Sequence, residues 1–561
     1  MNMKKKQILM WSSAAILLTS CSGKLGELSA NYFNVTPNPL ETQAGEVPAT
    51  INGMFPEKYM NKKAVVTVVP ELRYQTSGGV KSVRGTSATF QGEKVQGNDQ
   101  TISYLVGGRY TMKTNFNYQP EMQKSDLYLT FNAKVGKKSV NVPEVKVATG
   151  IIATSELYKR TLTSAQGAIA QDAFQRVIEQ KQEANVKFLI GQAQLRKSEL
   201  QNNSVQEFVR LLTEIAKDQE GKILDGVEVS AYASPDGGYQ LNERLAGQRE
   251  KVTGDYVQKQ MSNSKIEAPL DTKYTAEDWE GFQELVAASD IQDKDVILRV
   301  LSMYKDPEER EQQIKAISSA FRELADGILP QLRRARMIAN YQLIGRDDEQ
   351  ILAQIKEDAS KLSVEELLYG ATLYENDSKA AAAAYQKAVD LYPNDARAYN
   401  NLATIAYSEG NYVKAQQWLQ KALRVNNKLS EANANLGLLA LQEGDLSTAE
   451  NNIAKGSDAN GLNEILGNLH LAQGKYVQAE QDFGSVKSNS AALAQILNKN
   501  YSAAATTLKG ISTPDGITEY LKAILASRTG NKSEAAAALE AAFKKDPSLR
   551  SYAEKDLEFV K

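Results

Sequence analysis

The chain has 561 residues, 42% hydrophobic and 24% charged, the composition of ordinary globular protein, and its length predicts three or four domains. A net charge of −2 gives no basic surface suited to nucleic acid, and nucleic acid is not expected as a partner. One Cys and one His exclude an internal disulfide and any metal site that needs two Cys or His ligands, so neither metal nor other cofactor is expected.

The first 20 residues carry Lys4, Lys5 and Lys6, then a short apolar run from Ile8 to Leu18. That run suits the core of a secretion signal and is short for a bilayer span. It ends in "LTSC", which resembles the lipobox of bacterial lipoproteins. The resemblance implies cleavage before Cys21, the only Cys of the chain, and lipidation of its thiol. Cleavage would remove three lysines and move the net charge from −2 to −5. The lipid would supply an outer-membrane anchor. No acidic run follows Cys21, which favours a face toward the periplasm.

Residues 21–155 read as an antiparallel β domain of sandwich type. "KAVVTVVPELRY" and "DLYLTFNAKV" carry β-branched and aromatic residues, and "SGG", "QGN", "VGG" and "VGKK" mark turns. Residues 156–350 read as an α+β domain. Ser164–Gln182 has helical spacing and predicts a helix. A strand is expected from Ala184, with Val186, Phe188 and Ile190 on one face. A helix follows, with Phe208, Leu211, Leu212 and Ile215 in register. "VEVSAYA" predicts a second strand and the stretch through Val252 and Tyr256 a second helix. A helical insertion is expected over about 266–329, before a last strand in "RRARMIANYQLIG".

This order, with "VKFLIGQAQLRKSEL" and the pattern Asn242, Leu245, Ala246, Arg249, resembles the OmpA-like module that binds peptidoglycan in Gram-negative envelopes. In that family an Asp after the second strand and an Arg in the second helix grip the diaminopimelate of the peptide stem. The resemblance puts Arg249 in the Arg position, a bidentate fork for a carboxylate. Ser234 stands where the family has Asp, and Asp236, two residues on, is the candidate replacement for the ammonium contact. The alternative is that "SPDGG" is turn chemistry and that Arg249 pairs with Glu243 or Glu250.

Residues 360–561 are helical and repetitive. Leu402 and Leu436, Gly410 and Gly444, and Ala415 and Ala449 are each 34 apart. The period and the placed small residues resemble tetratricopeptide repeats, an all-α solenoid. The resemblance implies a groove lined by the first helix of each repeat. Arg397, Asn400, Thr404 and Tyr407 are the expected lining, then Glu431, Leu438 and Leu441, then Glu464 and Asn468. A protein or peptide ligand is the expected partner. His470 is assigned to packing, since no nucleophile pattern accompanies it.

The expected protein is a non-enzymatic, multidomain outer-membrane lipoprotein: a periplasmic scaffold that links an envelope protein to the peptidoglycan, as an accessory subunit of an assembly or secretion complex. The alternative is a surface-exposed adhesin or fimbria-associated lipoprotein.

Overall fold

A computed structural model describes residues 25–291, 293–316, 322–375 and 377–559. Cys21 and the signal-like segment lie outside the described residues. The chain forms two compact units, one of residues 1–171 with 374–561 and one of residues 172–373. The β-rich and repetitive regions, separate in sequence, therefore share a unit.

In the first unit, alternation of buried and exposed residues builds a β sandwich, as the sequence predicts. Strands β1 (Phe33–Thr36), β3 (Glu46–Phe55) and β8 (Gly108–Asn117) form one sheet. Strands β4 (Ala64–Thr76), β5 (Gly79–Arg84), β6 (Ala88–Gly92), β7 (Gln100–Ile102), β9 (Ser125–Val135), β10 (Lys138–Val140) and β11 (Val145–Thr149) form the other. The short pair β2 (Leu40–Glu41) and β12 (Ile151–Ile152) stands apart. Val66, Val68, Leu72, Leu127 and Leu129 from one sheet face Val47, Ile51, Phe55 and Phe116 from the other in one core.

The second unit has a four-stranded sheet in the order β13 (Val177–Lys187), β16 (Arg334–Ile344), β14 (Lys222–Tyr232), β15 (Leu270–Thr275). Helices α1 (Asn203–Lys217) and α2 (Tyr239–Asn263) connect the strands. Phe208, Leu212 and Ile215 of α1 and Val257 and Met261 of α2 meet Ala184, Val186, Val227, Val229, Met337 and Ala339. The insertion differs from its all-helical expectation. It opens with β15, which pairs in parallel with β14 and completes the sheet edge, and only then continues as α3 (Trp279–Ala287), α4 (Lys294–Met303) and α5 (Pro307–Ala316). β15 is short and mostly exposed, so its sequence carries little apolar alternation. Two more helices, α6 (Asp348–Glu357) and α7 (Val364–Thr372), close this unit; each begins with a capping box.

The predicted helix over Ser164–Gln182 is absent. Residues 165–175 have no regular secondary structure, and β13 begins at Val177, seven residues before the expected strand. Residues 177–187 all pair with β16, and the backbone before them takes its hydrogen bonds from side chains elsewhere in the protein.

The rest of the first unit is a run of antiparallel helix pairs: α8 (Ser378–Leu391), α9 (Ala396–Ser408), α10 (Tyr412–Val425), α11 (Ser430–Glu443), α12 (Leu446–Lys455), α13 (Leu462–Ala472), α14 (Tyr476–Phe483), α15 (Asn489–Leu497), α16 (Tyr501–Lys509), α17 (Gly516–Arg528), α18 (Lys532–Lys545) and α19 (Ser548–Ala553). Small residues set the helix spacing. A Cβ on Gly437 would stand 2.4 Å from Ile453 Cγ1, and one on Gly467 would stand 2.6 Å from the Phe483 ring. Ala415 and Ala449 are fully buried at the equivalent contacts.

Candidate functional site

The inner helices α9, α11, α13 and α15 of the solenoid line a groove, and that groove is filled by the chain's own residues 161–171. The contacts climb helix by helix. Ser490 on α15 donates to Thr161 at 2.8 Å. Glu464 on α13 accepts the Gln166 amide at 3.2 Å. Asn435 on α11 accepts the Ala168 amide at 2.7 Å and donates to its carbonyl at 2.8 Å. On α9, Asn401 accepts from the Ala170 amide and donates to its carbonyl, both at 2.9 Å. Arg397, paired with Asp395 at 2.7 Å, reaches the Gln171 carbonyl at 3.3 Å. Asn400 joins the series, donating to the Ala168 carbonyl at 2.9 Å and accepting from Asn435 at 2.9 Å.

These bonds read main chain. A carboxamide that both donates and accepts satisfies both polar groups of one residue, as a strand partner would. The side chains of the bound segment are small. Ala165, Ala168 and Ala170 are buried, and a Cβ on Gly167 would stand 2.8 Å from Asn435 Oδ1 and 3.0 Å from Thr404 Cγ2. Leu162, Ala165 and Ala168 belong to the same apolar core as Ala403, Tyr407, Leu438 and Leu441. Tyr407 donates from its hydroxyl to the Leu162 carbonyl at 2.8 Å, and burial holds its phenol well above the usual range. Burial also raises the Glu464 carboxyl above its ordinary value, against the pull of the Gln166 amide.

Of the residues expected to receive a partner, Arg397, Asn400, Tyr407 and Glu464 thus hold the chain itself. Asn468 is buried and donates to Glu464 O within its own helix. Glu431 accepts from the Asn460 amide at 3.2 Å. Asn401 and Asn435 are the clamp residues that the sequence reading missed. Both are carboxamides set beside other polar residues on helices rich in Ala and Leu, and that repeated Asn is the signal that could have found them. His470 contacts the Asp482 carboxylate across the α13–α14 pair.

In the second unit the loop after β14 brings the other expected residues together. Ser234 is buried and donates to the Asp236 carboxylate. Arg333, the residue before β16, donates to Ser234 Oγ at 3.2 Å and pairs with Asp236 at 3.1 Å. Sequence reading missed Arg333, which lies about 100 residues away in sequence from the loop it joins. Asn242 donates to the Gly237 carbonyl at 2.7 Å and so shapes the turn into α2. Arg249 is 1% exposed. Its partners are three carbonyls, of Tyr232 at 2.9 Å, Gln192 at 3.0 Å and Leu189 at 3.4 Å, rather than Glu243 or Glu250. Its guanidinium lies 5.2 Å from the Phe188 ring centre. Burial, with the like charge of Arg333, lowers its pKa to about 10. Trp279, Phe282 and Leu329 of the insertion line a small cleft over Pro235 and Asp236.

Comparison with known proteins addresses the solenoid. A tetratricopeptide-repeat family model matches residues 371–434. Solved structures with similar chains include a tetratricopeptide repeat protein from Parabacteroides merdae, at 18% identity over 38% of this chain and 91% of that one, with a TM-score of 0.28. Pseudomonas aeruginosa pilF is 16% identical over 38% of this chain and 97% of its own, with a TM-score of 0.26. YrrB, a TPR protein with an unusual peptide-binding site, is 18% identical over 37% of this chain and all of its own, with a TM-score of 0.22. A search of curated proteins found no match. The match places tetratricopeptide-type repeats at residues 371–434, within a run of helix pairs that shares one unit with a β-rich domain.

Proposed function

We propose that this chain is a non-enzymatic scaffold of the bacterial outer membrane, lipid-anchored through Cys21 and facing the periplasm, whose repeat solenoid grips the connector between its two units. The observation that carries the scaffold reading is the main-chain clamp of Asn401 and Asn435 on residues 168 and 170. A groove of the kind that takes a peptide is here satisfied from within the chain. A protein partner in the envelope then meets the outer faces of the solenoid or the β sandwich.

In the same reading the second unit is an OmpA-like module that holds peptidoglycan. Its strand-helix-strand-helix order and the gathering of Ser234, Asp236, Asn242, Arg249 and Arg333 around one turn support this. The roles are divided differently from the simple pairing of Asp and Arg. Arg249 braces the turn through carbonyls, while the Asp236–Arg333 pair offers both an acceptor for an ammonium and a donor for a carboxylate.

The test is co-sedimentation of the full chain, carrying Cys21→Ser, with purified sacculi. Wild-type sequence at the turn should co-sediment, and Asp236→Asn with Arg333→Ala should reduce binding about tenfold or more. Absence of co-sedimentation by the wild-type turn would remove peptidoglycan from the account.

A further inference from the structure

We propose that the lysine-rich end of the β sandwich is a membrane-docking face that sits on phosphate-bearing lipid headgroups. Its place beside a lipid anchor rests on the reading of Cys21 above.

Four loops meet at this end. The β3–β4 loop carries Lys58, Lys62 and Lys63, the loop after β6 carries Lys94, and the β9–β10 hairpin carries Lys137 and Lys138. Backbone bonds hold them together: Lys94 N donates to Lys62 O at 2.7 Å, Gly136 N to Lys63 O at 3.0 Å, and Lys58 N to Tyr104 O at 2.6 Å. All six lysines are exposed, and none makes an ion pair with a described residue. The acids on these loops and the adjoining chain are Glu27, Glu57, Glu93 and Asp99, four against the six lysines, so positive charge prevails.

The fourth loop is the tight β7–β8 turn, closed by a bridge between Ser103 and Gly107, and its tip is apolar. Leu105 is 64% exposed and Val106 80%, beside the half-buried Tyr104. Two large aliphatic side chains at the tip of a turn that bonds to the Lys58 loop are unfavourable in water and suited to the boundary between headgroups and acyl chains. The lysines add attraction to anionic headgroups, strongest at low salt.

The chain enters the domain at this same end. Tyr59, in the β3–β4 loop, donates to the Gly26 carbonyl at 2.9 Å, and Leu25 and Leu28 are buried in the sandwich core. Cys21 precedes Leu25 by four residues, a reach of at most about 14 Å. A lipid on Cys21 would enter the bilayer close to the lysines and the Leu105–Val106 tip. Anchor, charge and apolar tip then act on one surface, the combination of signals that makes peripheral binding stable.

The test uses the full chain with Cys21→Ser, so that no lipid contributes, and flotation with vesicles of phosphatidylethanolamine with or without phosphatidylglycerol. Binding is expected to the anionic vesicles and to fall as salt is raised. Lys62→Glu, Lys63→Glu, Lys137→Glu and Lys138→Glu together should weaken it about tenfold or more. Leu105→Ser with Val106→Ser should weaken it at constant salt dependence. All these positions are exposed, and an unchanged melting temperature verifies the fold. Failure of the unlipidated wild type to float at low salt, or equal flotation of the charge-reversed variant, overturns the proposal. Palmitate labelling of the Cys21 protein reports separately on the anchor, so loss of one claim leaves the other standing.

Discussion

Gly167 lies so close to Asn435 that a single added carbon would stand 2.8 Å from the Asn435 side-chain oxygen. The same carboxamide holds both polar groups of Ala168, one residue on. The groove has therefore been fitted to a main chain with no side chain at this step. Gly167→Val should overpack the contact, cost on the order of 1–3 kcal/mol, and loosen residues 161–171. Limited proteolysis of the full chain, read by mass spectrometry, should show new cleavage in this segment. A cleavage pattern and melting curve equal to wild type would place the segment outside the groove.

Asn435→Ala should leave the amide and carbonyl of Ala168 without that partner in a buried site, at a cost of about 1–3 kcal/mol. Asn400 shares the Ala168 carbonyl and bonds Asn435 directly. The double variant Asn400→Ala, Asn435→Ala should thus differ measurably from the sum of the singles in denaturant melts. Strict additivity would mean that the two side chains do not form one network.

Much of the fold is legible in the sequence. The 34-residue spacing of Leu402 and Leu436 marks the repeats, because each helix pair must repeat its small contact residues to stack on the next. Alternation in "DLYLTFNAKV" marks β9, because one face of the strand is core. The connector is not legible by the same means. Ala165, Ala168 and Ile169 fall at helical spacing, yet the first two are apolar because a groove from residues more than 200 positions away covers them. Local periodicity carries no information about such a cover. What carries it is the presence of Asn400, Asn401 and Asn435 on an inner face, since buried carboxamides require partners. The turn after β14 shows the same limit: Ser234, Asp236 and Arg249 are visible as a pattern, but Arg333 joins them only through the sheet.

Arg249 gives a prediction about the second unit. Arg249→Ala should remove a charged donor from the buried carbonyls of Gln192 and Tyr232, and a longer bond from that of Leu189, which keeps the Gln192 amide, and cost about 3 kcal/mol. Arg249→Lys should recover only part of this, since one ammonium cannot span three acceptors held by a planar fork. Thermal unfolding of the full chain checks both. Unchanged melting of Arg249→Ala would mean that this side chain is free for a ligand.

The pH dependence of stability has a definite contributor at the end of the chain. Asp556 is buried, accepts from the Tyr520 hydroxyl at 2.7 Å, and burial pushes its pKa up to about 6. Unfolded, it returns to about 3.9. The folded state thus binds the proton more tightly, so this group's contribution to stability is full below about pH 4 and is lost as pH rises through 6. Buried Glu464, also raised, acts in the same direction, whereas Glu183, Glu366, Asp395 and Glu519, held low, act in the opposite one. The readout is therefore the difference between wild type and Asp556→Asn. Asp556→Asn should gain relative to wild type between pH 5 and pH 8 by an amount on the order of 1 kcal/mol. A difference that stays constant over this range would show that Asp556 is not held in its neutral form.

The repeat solenoid closes on the chain's own connector. Hydrogen exchange at the amides of Gln166, Ala168 and Ala170 tests it most directly, because their acceptors are Glu464, Asn435 and Asn401 and no helix or strand protects them. In the full chain these three amides should exchange far more slowly than in a free peptide of the same sequence, and Asn401→Ala with Asn435→Ala should release Ala168 and Ala170 first. Exchange in the wild type at the rate of the free peptide would contradict the claim.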